Sequence, residues 1–591
     1  MNEKAAVGDL PVWNLDDLYA GPDDPALARD LADGLAAARE FRARHAGKLA
    51  TQDGAALGQA IMDYERLKEQ LGRVGSFAGL LHAGNLSEAS IGRFYQTMQE
   101  RLNAITAELL FFTLELNRLD AAALATKLAA PALRRYRPWL DDLRAFRAHE
   151  LSDDLERLLH EKQVAGRGAW VRLYDETLAA LRFPVDGERL TLEEALNRFL
   201  DPQEARRKAA AQGLSAVFAD NARLLAHVHN TLLKDKEIED TWRKYPSPAA
   251  ERHLANQVEP EVVEALRRAV SDAYPRLSHR YYRLKAGWLG KQRLDYWDRN
   301  APLPEDEDRL TPWSEARALV LDAYGRFSPE LSAIGKRFFD NAWIDAPVRP
   351  GKVGGAFAHP TVPSAHPYLL LNYQGRARDV MTLAHELGHG VHQILAAPQG
   401  YLMADTPLTL AETASVFGEQ LTFRAMLENE RRPARRRALL AGKVEDMLNT
   451  VVRQIAFYEF ELALHEERRG GELMPERIGQ IWLCVQGRSL GPAIHLPAEY
   501  AHYWCYIPHF VHTPFYVYAY AFGDCLVNSL YAVCQGAAHG FQAKYLEMLR
   551  AGGSKRHKEL LAPFGLDASD PGFWRQGLSV LEGFIDQLEG L

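Results

Sequence analysis

The chain has 591 residues, of which 47% are hydrophobic and 25% charged, as is typical of a soluble globular protein. Its 70 basic and 78 acidic residues give a formal net charge of -8, which argues against a nucleic-acid-binding protein, since such proteins usually carry a basic excess. A chain of this length exceeds one small core, so we expect two or more folding units or one large helical body.

Three features indicate a soluble cytoplasmic protein with no membrane partner. The first residues include acidic side chains and no apolar segment, so we predict no signal peptide. The apolar run at residues 109–116 is short and interrupted by Glu115, which favours a buried helix over a membrane span. None of the four cysteines forms a Cys-x-x-Cys pair, so we expect reduced, mostly buried thiols.

Most of the sequence has the apolar spacing and composition of helices, for example at residues 26–46 and 261–274. Strand signals are few, and the best is "PYLLLNY" at residues 367–373, so the expected fold is mainly α with one small sheet. A loop followed by a capping box of Thr191 with Glu194 marks a division near residue 190. We predict an N-terminal helical region over residues 1–190 and a catalytic region over residues 191–591.

The stretch "LAHELGHGVH", residues 383–392, contains three histidines and one glutamate. Apolar residues recur at three- and four-residue spacing over residues 379–397, which predicts one helix. His385 and His389 project from one face of that helix about one turn apart, so their imidazoles can bind one tetrahedral zinc ion. Glu386, turned by about 100° from them, can reach a nearby water without binding the metal.

A polar stripe on an ordinary helix is the alternative. The dipeptide His-Glu occurs four times in the chain, but only the copy at residues 385–386 has a second histidine at the required spacing. Gly388 and Gly390 each weaken the helix by about 1 kcal/mol relative to Ala, which fits close packing around a site better than a solvated face. We therefore predict one zinc ion at this helix.

His392 continues the same row of side chains. Three side chains in line along a straight helix cannot close around a tetrahedral ion, so we expect His392 to lie beside the metal site rather than to bind the ion. The longer pattern H-E-x-x-H-x-x-G-x-x-H is absent, because His392 replaces its glycine and Leu395 its last histidine. The third ligand is therefore expected from another element.

Three acidic residues follow closely enough to supply that ligand: Asp405, Glu412 and Glu419. The pattern predicts a helix over residues 406–427, in which Glu412 falls in the first turns and can point toward the histidines. We predict Glu412 as the third ligand, and a capping box with Thr409 is the alternative role for it. Glu419, two turns further along the same face, is expected to support a ligand histidine.

Several motifs occur in one order along the chain: "VWNLDDLY", "GKVGGAF", "YLLLNY", "DVMTLAHELGHGVH", "ETASVFGEQ" and "IPHFVHTPFYVYAYAFG". Together they resemble oligoendopeptidase F, of the thimet oligopeptidase-like zinc metallopeptidases, over most of the chain. The resemblance implies an elongated, mainly helical body with a zincin-type core and a deep cleft, which the N-terminal region covers. It also implies a zinc ion at the floor of the cleft and cleavage of internal bonds in short, unfolded peptides.

The resemblance also implies roles for individual residues. His385, His389 and Glu412 match the zinc ligands, and Glu386 matches the catalytic glutamate, which takes a proton from the attacking water and passes it to the leaving amine. His509 matches a histidine that precedes a cluster of tyrosines. The spacing of those tyrosines does not assign each of them to a role.

Five polar side chains lie within residues 508–520: His509, His512, Tyr516, Tyr518 and Tyr520. A helix that begins near Pro514 would place Tyr516 and Tyr520 on one side and Tyr518 on another. We predict that His509 and Tyr518 donate hydrogen bonds to the oxyanion or the substrate carbonyl. His512, Tyr516 and Tyr520 are the predicted substrate contacts.

The predicted strand "YLLLNY" could bind a peptide backbone as an added strand, which would depend little on the substrate's side chains. We therefore expect substrate contacts at Tyr368 and Leu370 of this strand and at Gly355 of the loop before it.

Two other functions use the same residues. A zinc exopeptidase would need a fixed charge that captures a peptide terminus, and no sequence feature identifies one. An inactive peptide-binding protein with a structural zinc would usually supply four protein ligands, often cysteines, whereas the cysteines here are remote from the histidine helix.

Overall fold

The computed structural model of the protein describes residues 7–303, 310–536 and 540–591. Helix accounts for 71% of the structure, and the sheets contain only two or three strands, so the prediction of a mainly helical fold is confirmed. None of the helices in the described ranges combines the length and the apolar character that a membrane span needs. All four cysteines are free thiols, and Cys505 and Cys525 are buried, whereas Cys484 is exposed.

The helices are numbered in chain order. Those before residue 304 are α1 (Pro25–His45), α2 (Gly54–Gly84), α3 (Ala89–Arg118), α4 (Ala121–Lys127), α5 (Pro131–Arg134), α6 (Arg137–Leu143), α7 (Asp153–Lys162), α8 (Arg167–Ala180), α9 (Leu192–Asn197), α10 (Glu204–Arg243), α11 (Ala250–Ala255), α12 (Pro260–Ala273) and α13 (Ser278–Trp288). The remaining ones are α14 (Trp313–Phe327), α15 (Pro329–Asp340), α16 (Ala377–Ala396), α17 (Leu408–Ala411), α18 (Ser415–Asn429), α19 (Pro433–Met447), α20 (Arg453–Arg468), α21 (Pro475–Leu490), α22 (His509–His512), α23 (Tyr518–Gly536), α24 (Phe541–Arg550), α25 (His557–Leu561) and α26 (Pro571–Glu589). The predicted capping box of Thr191 with Glu194 is present at the start of α9.

The chain divides into two compact units, each assembled from three separate stretches. The first unit comprises Met1–Arg147, Asp308–Asn429 and Gly536–Gly565, and the second comprises Ala148–Glu307, Glu430–Gln535 and Leu566–Leu591. This division differs from the predicted single boundary near residue 190, which falls inside the second unit.

Packing around a hairpin explains why no division occurs near residue 190. Strands β1 (Phe183–Val185) and β2 (Glu188–Leu190) pair in antiparallel fashion just before α9. Phe183 packs edge-on against Phe218 of α10, with ring centroids 5.4 Å apart. Gly213 of α10 lies so close to Pro184 that a Cβ there would be 2.3 Å from the proline carbonyl oxygen. The hairpin therefore shares its core with α10, which lies beyond residue 190.

The remaining strands form two small sheets. Strands β3 (Leu294–Asp295) and β7 (Ile494–His495) pair in parallel in the second unit. The other sheet lies in the first unit and has the order β4 (Ile344–Pro347), β6 (Tyr368–Tyr373), β5 (Phe357–His359), with β4 parallel and β5 antiparallel to β6.

The structure does not support the predicted pairing of β6 with substrate, because both sides of β6 are occupied by neighbouring strands. Tyr368 and Leu370 are fully buried, and the Tyr368 hydroxyl donates to the Asn14 carbonyl oxygen at 2.9 Å. Gly355 lies just before β5 with a φ of +77°, a conformation that favours glycine. In the described part of this sheet, β5 has one unpaired side, so β5 is the candidate strand for peptide binding.

Helix α16 confirms the helix predicted over residues 379–397, and it packs against β6, α15 and α18. A Cβ on Gly388 would lie 2.5 Å from the Ala414 carbonyl oxygen and 2.6 Å from Ser415 Cα, so only glycine allows this approach. The single helix predicted over residues 406–427 is wrong, because a turn at residues 412–414 separates α17 from α18. The close contact with α16 falls at that turn.

We expect the substitution Gly388→Ala to destabilise the first unit by about 1–3 kcal/mol, because the added methyl group overlaps the backbone at residue 414. Gly79→Ala in α2 is the matched control, since a Cβ there would meet no atom within 4 Å. The control should be neutral or stabilised by up to about 1 kcal/mol. Thermal unfolding of both variants measures the effect, and equal midpoints would contradict this account of the contact.

Candidate metal centre and tyrosine segment

The three predicted ligands meet at one point in the first unit. The Glu412 carboxylate oxygen Oε2 lies 3.3 Å from His385 Nε2 and 3.4 Å from His389 Nε2. Donor atoms that bind one tetrahedral zinc ion at 2.0–2.1 Å lie roughly 3.3 Å from one another. A direct hydrogen bond between nitrogen and oxygen is usually shorter, at about 2.9 Å. The donor set and its spacing therefore fit a zinc ion better than a simple ion pair.

Local contacts hold Glu412 in place. It directly follows the last residue of α17, and its Oε2 accepts a hydrogen bond from Ser415 Oγ at 2.6 Å. The Thr413 carbonyl oxygen accepts a hydrogen bond of 2.8 Å from the buried Tyr545 hydroxyl of α24. A capping box of Thr409 with Glu412 is not formed, because Pro407 caps α17 and Glu412 lies beyond its end.

Charge concentrates at this centre. Glu419 Oε2 lies 3.4 Å from His385 Nδ1, on the side of the ring opposite the predicted metal-binding nitrogen. Burial lowers the pKa of His385, but Glu419, Glu412 and Glu386 raise it to about 9. Burial likewise raises the pKa of Glu412, but the two histidines and Ser415 lower it to about 2. A bound divalent cation would compete with protons for these side chains.

Glu386 lies on the same helix as the two histidines but outside the set of potential ligands. Its side chain is buried, and this burial raises its pKa, although the neighbouring histidines and a hydrogen bond from the Ala358 backbone N–H oppose the increase. A carboxylate with a raised pKa is suited to accept a proton near neutral pH. Ala358 belongs to β5, so the strand with an unpaired side lies next to Glu386.

His392 and Asp405 lie beside the centre and are not part of the ligand set. His392 is buried, and burial lowers its pKa to about 4, so the ring is neutral; it also hydrogen-bonds to the Leu549 backbone of α24. A cavity of about 660 Å³ borders His389, and its walls include Val362, His392, Gln393, Tyr401 and Asp405. Its volume is sufficient for peptide side chains.

The tyrosine segment, residues 508–520, lies in the second unit. Tyr518 is fully buried, and its hydroxyl is 3.0 Å from His253 Nδ1 and 2.9 Å from Asn256 Nδ2. Helix α23 begins at Tyr518 rather than near Pro514, which directs this side chain inward. The structure therefore does not support the predicted role of Tyr518 as a donor to the substrate.

Tyr520 presents an exposed hydroxyl instead: its side chain is 38% exposed, and its oxygen lies 3.4 Å from His509 Nε2. The Tyr516 ring packs edge-on against the Tyr520 ring at 5.3 Å. His512 is exposed and pairs with Asp175, with 2.8 Å between Nε2 and Oδ1. His509, Tyr516 and Tyr520 thus form one group, whereas His512 is oriented by an acidic neighbour.

No sequence pattern identifies Glu461, whose side chain holds this segment in place. Phe515 adopts a left-handed conformation with φ of +60°, and its backbone N–H donates to Glu461 Oε1 at 2.8 Å. Glu461 is fully buried, and burial raises its pKa to about 8. The hydrogen bond offsets the strain of a non-glycine residue in that conformation. Only the contact between distant parts of the chain reveals this role.

We expect Glu412→Ala to lose zinc almost completely and Glu419→Ala to lose it only in part. The first substitution removes a predicted ligand, whereas the second removes the partner of a ligand histidine, which typically costs about 10–100-fold in metal affinity or activity. Metal content after dialysis against graded chelator concentrations measures the difference. Retention of zinc by Glu412→Ala together with its loss from Glu419→Ala would reverse the two assignments.

Comparisons with known proteins identify a peptidase family and several relatives. The family profile of peptidase family M3 matches residues 328–580, and that of oligopeptidase F matches residues 115–183. Oligopeptidase PepF of Bacillus subtilis (strain 168) is 25% identical across the full chain and 88% of its own length. An oligoendopeptidase F homolog of Lactococcus lactis subsp. lactis (strain IL1403) is 29% identical over 78% of the chain and 77% of its own length.

Solved structures share the fold. A crystal structure of oligoendopeptidase-F from Enterococcus faecium superposes with a TM-score of 0.70 at 22% identity, covering 96% of this chain and 98% of its own. A solved protein from Chlamydophila abortus gives a TM-score of 0.86 at 22% identity and covers 98% of both chains. The M3 match includes the histidine helix, Glu412 and the tyrosine segment. Together the two profiles match more than half of the 591 residues, so the chain belongs to peptidase family M3, a family of zinc metallopeptidases.

Proposed function

We propose that the protein is a zinc-dependent endopeptidase that hydrolyses internal bonds of short, unstructured oligopeptides. The observation that carries this proposal is the near-tetrahedral spacing of His385 Nε2, His389 Nε2 and Glu412 Oε2, with the Glu386 carboxylate on the same helix but outside this set. Membership of family M3 and relatives named oligoendopeptidase F support the reaction and the substrate class.

One zinc ion per chain would be held by His385, His389 and Glu412, with Glu419 orienting His385 through its other ring nitrogen. Bound zinc supplies a Lewis acid that polarises the scissile carbonyl and lowers the pKa of water. The two histidines and one carboxylate leave a coordination position open, as catalytic rather than structural sites require.

Glu386 would act as the general base and then as the general acid. It accepts a proton from the attacking water as the water oxygen forms its bond to the carbonyl carbon, and it passes that proton to the amine nitrogen when the C–N bond breaks. Burial raises the pKa of Glu386, which brings its basicity closer to what both steps need near neutral pH.

The substrate backbone would bind along the unpaired side of β5, next to Ala358 and Glu386. Such pairing requires an extended peptide, which explains a preference for unstructured substrates. Side chains of the peptide would enter the cavity beside His389. Tyr368 and Leu370 are buried and do not contact the substrate in this arrangement, whereas Gly355 is a candidate contact because it lies just before β5.

From the family resemblance we also propose hydrogen-bond donors to the oxyanion within the tyrosine segment. His509 and Tyr520 are favoured over Tyr518, because the Tyr520 hydroxyl is exposed and that of Tyr518 is engaged by buried partners. Tyr516 and His512 remain candidates for substrate contact. The cytoplasmic location remains a prediction from the sequence.

Cleavage of an internally quenched peptide, blocked at both ends, tests the proposed function. The wild-type protein should cleave it, a chelator should abolish cleavage, and added zinc should restore it. Glu386→Gln should lose nearly all activity and keep its zinc, because it removes the base and leaves the ligands. An exopeptidase would fail on the blocked peptide, and an inactive binding protein would cleave no peptide at all.

Tyr520→Phe should lower kcat by about 10²–10³, the range for losing one oxyanion donor, with unchanged zinc content. Tyr518→Phe should instead lower the thermal midpoint, since the hydroxyl partners His253 and Asn256 would lose a buried hydrogen bond. Steady-state kinetics and thermal unfolding of both variants measure these effects. A large fall in kcat for Tyr518→Phe, together with a normal kcat for Tyr520→Phe, would instead assign the oxyanion donor to Tyr518.

A further inference from the structure

The cavity of about 660 Å³ beside His389 has walls of unequal charge. The described residues that line it all belong to the first unit, and they come from Arg337 of α15, the loop at residues 360–367, α16 and the chain from there to residue 411. His389 and Gln393 lie one turn apart on α16, and both border the cavity. Because His389 is a predicted metal ligand, a substrate side chain in this cavity would belong to a residue beside the scissile bond.

Two walls of the cavity are held in place by contacts within the first unit. Thr361 adopts a left-handed conformation with φ of +58°, and its hydroxyl donates to the His366 carbonyl oxygen at 2.8 Å, which braces the loop at residues 360–367. Tyr401 packs against Gly72 of α2, where a Cβ would lie 2.8 Å from the tyrosine hydroxyl oxygen. Fixed walls reduce the ordering cost of binding and so strengthen selection among side chains.

Asp405 places a carboxylate on the wall without a positively charged partner. It forms no ion pair with any residue in the described ranges, and its Oδ1 accepts a hydrogen bond of 3.0 Å from the Thr406 backbone N–H. Partial burial raises the pKa of this carboxyl, and that hydrogen bond opposes the increase. Asp405 also lies outside the metal-ligand set, so a zinc ion bound there would not pair with it.

The backbone of Asp405 is fixed by a close contact, and a second acceptor lies on the same cavity. A Cβ on Gly553 would be 2.4 Å from the Asp405 carbonyl oxygen, so the chain at residue 405 packs directly against this glycine. Gln393 Oε1 is buried and has no hydrogen-bond partner among the described residues. The cavity therefore combines a carboxylate and an amide that both favour a ligand rich in hydrogen-bond donors.

One positive charge also borders the cavity, but it has an aromatic partner. The Arg337 guanidinium lies over the Trp343 ring, with 5.2 Å from Cζ to the ring centroid. Trp343 stacks on His366 at 3.8 Å, and His366 Nε2 pairs with Asp17 Oδ2 at 2.9 Å. The aromatic face offsets part of the charge of Arg337. Since Asp405 has no comparable partner, the charge left to be matched by a ligand is negative.

We propose that the cavity beside His389 receives a lysine or arginine side chain of the peptide substrate, and that Asp405 and Gln393 select it. An ammonium or guanidinium group carries several N–H donors and the charge that complements Asp405. Such complementarity contributes mainly to specificity. This inference rests on the proposed function, because it takes the ligand to be a peptide, and it adds the side-chain class that flanks the cleaved bond.

A positional scan locates the selected residue. An internally quenched peptide of neutral residues, blocked at both ends, carries one arginine that is moved one position at a time. Mass spectrometry of the products should show cleavage next to the arginine, on the same side of it in every peptide. Cleavage sites that do not follow the arginine would overturn the proposal.

The charge is tested at the position so located, with arginine, its uncharged isostere citrulline, and glutamate. For the wild-type protein, kcat/KM should be at least about tenfold higher with arginine than with citrulline, the effect of one charge-assisted hydrogen bond. In Asp405→Asn this ratio should fall toward one, and in Gln393→Leu it should fall in part. Asp33→Asn, the same change at an exposed position of α1 outside the cavity, is the matched control and should keep the wild-type ratio.

Equal kcat/KM values for arginine and citrulline in the wild-type protein would contradict the proposal, and a preference for glutamate would assign the cavity to Arg337 instead. Thermal midpoint and zinc content report whether Asp405→Asn is intact. If it is not, calorimetric binding to zinc-loaded Glu386→Gln decides, and the arginine peptide should bind about tenfold more tightly than the citrulline peptide. This measurement needs no cleavage. A wild-type protein that cleaves no peptide would refute the proposed function, whereas equal affinities would refute only the selection of a basic side chain.

Discussion

The close approach of α16 to the turn at residues 412–414 is the contact on which the metal centre depends. Gly388 has no side chain, so the backbone at Ala414 and Ser415 can lie against the helix between the two histidines. Glu412 then reaches the two imidazole nitrogens at 3.3 and 3.4 Å. The break between α17 and α18 is part of the site. A helix that continued through Glu412 would hold this residue in a regular helical turn instead.

The electrostatics of the centre follow from that contact. Glu386, Glu412 and Glu419 lie around His385, so the imidazole is more basic than a buried histidine would otherwise be, with a pKa of about 9. His392, one turn beyond His389 on the same helix, has no such partners and a pKa near 4. The neighbouring carboxylates, rather than burial, therefore account for the difference in pKa between His385, a predicted ligand, and His392, a packed histidine of the same helix.

The second unit has a different arrangement of charge. Glu461 is buried and forms no ion pair with the described residues, yet it accepts a hydrogen bond from the Phe515 N–H, holds Phe515 in a left-handed conformation and thereby sets where α23 begins. That start directs Tyr518 into the core and leaves Tyr520 exposed. The Tyr518 hydroxyl is in turn held by His253 and Asn256. Both features join residues that are far apart in sequence.

The sequence by itself determined the histidine helix, the pairing of two imidazoles on one of its faces, and the mainly helical fold, because helical periodicity and a four-residue spacing are local properties. Only the tertiary structure decided the division into two units, the interior position of β6 and the inward direction of Tyr518. Strand order and the surroundings of a side chain depend on which distant segments pack together. A single sequence carries periodicity within each segment but no direct record of those contacts.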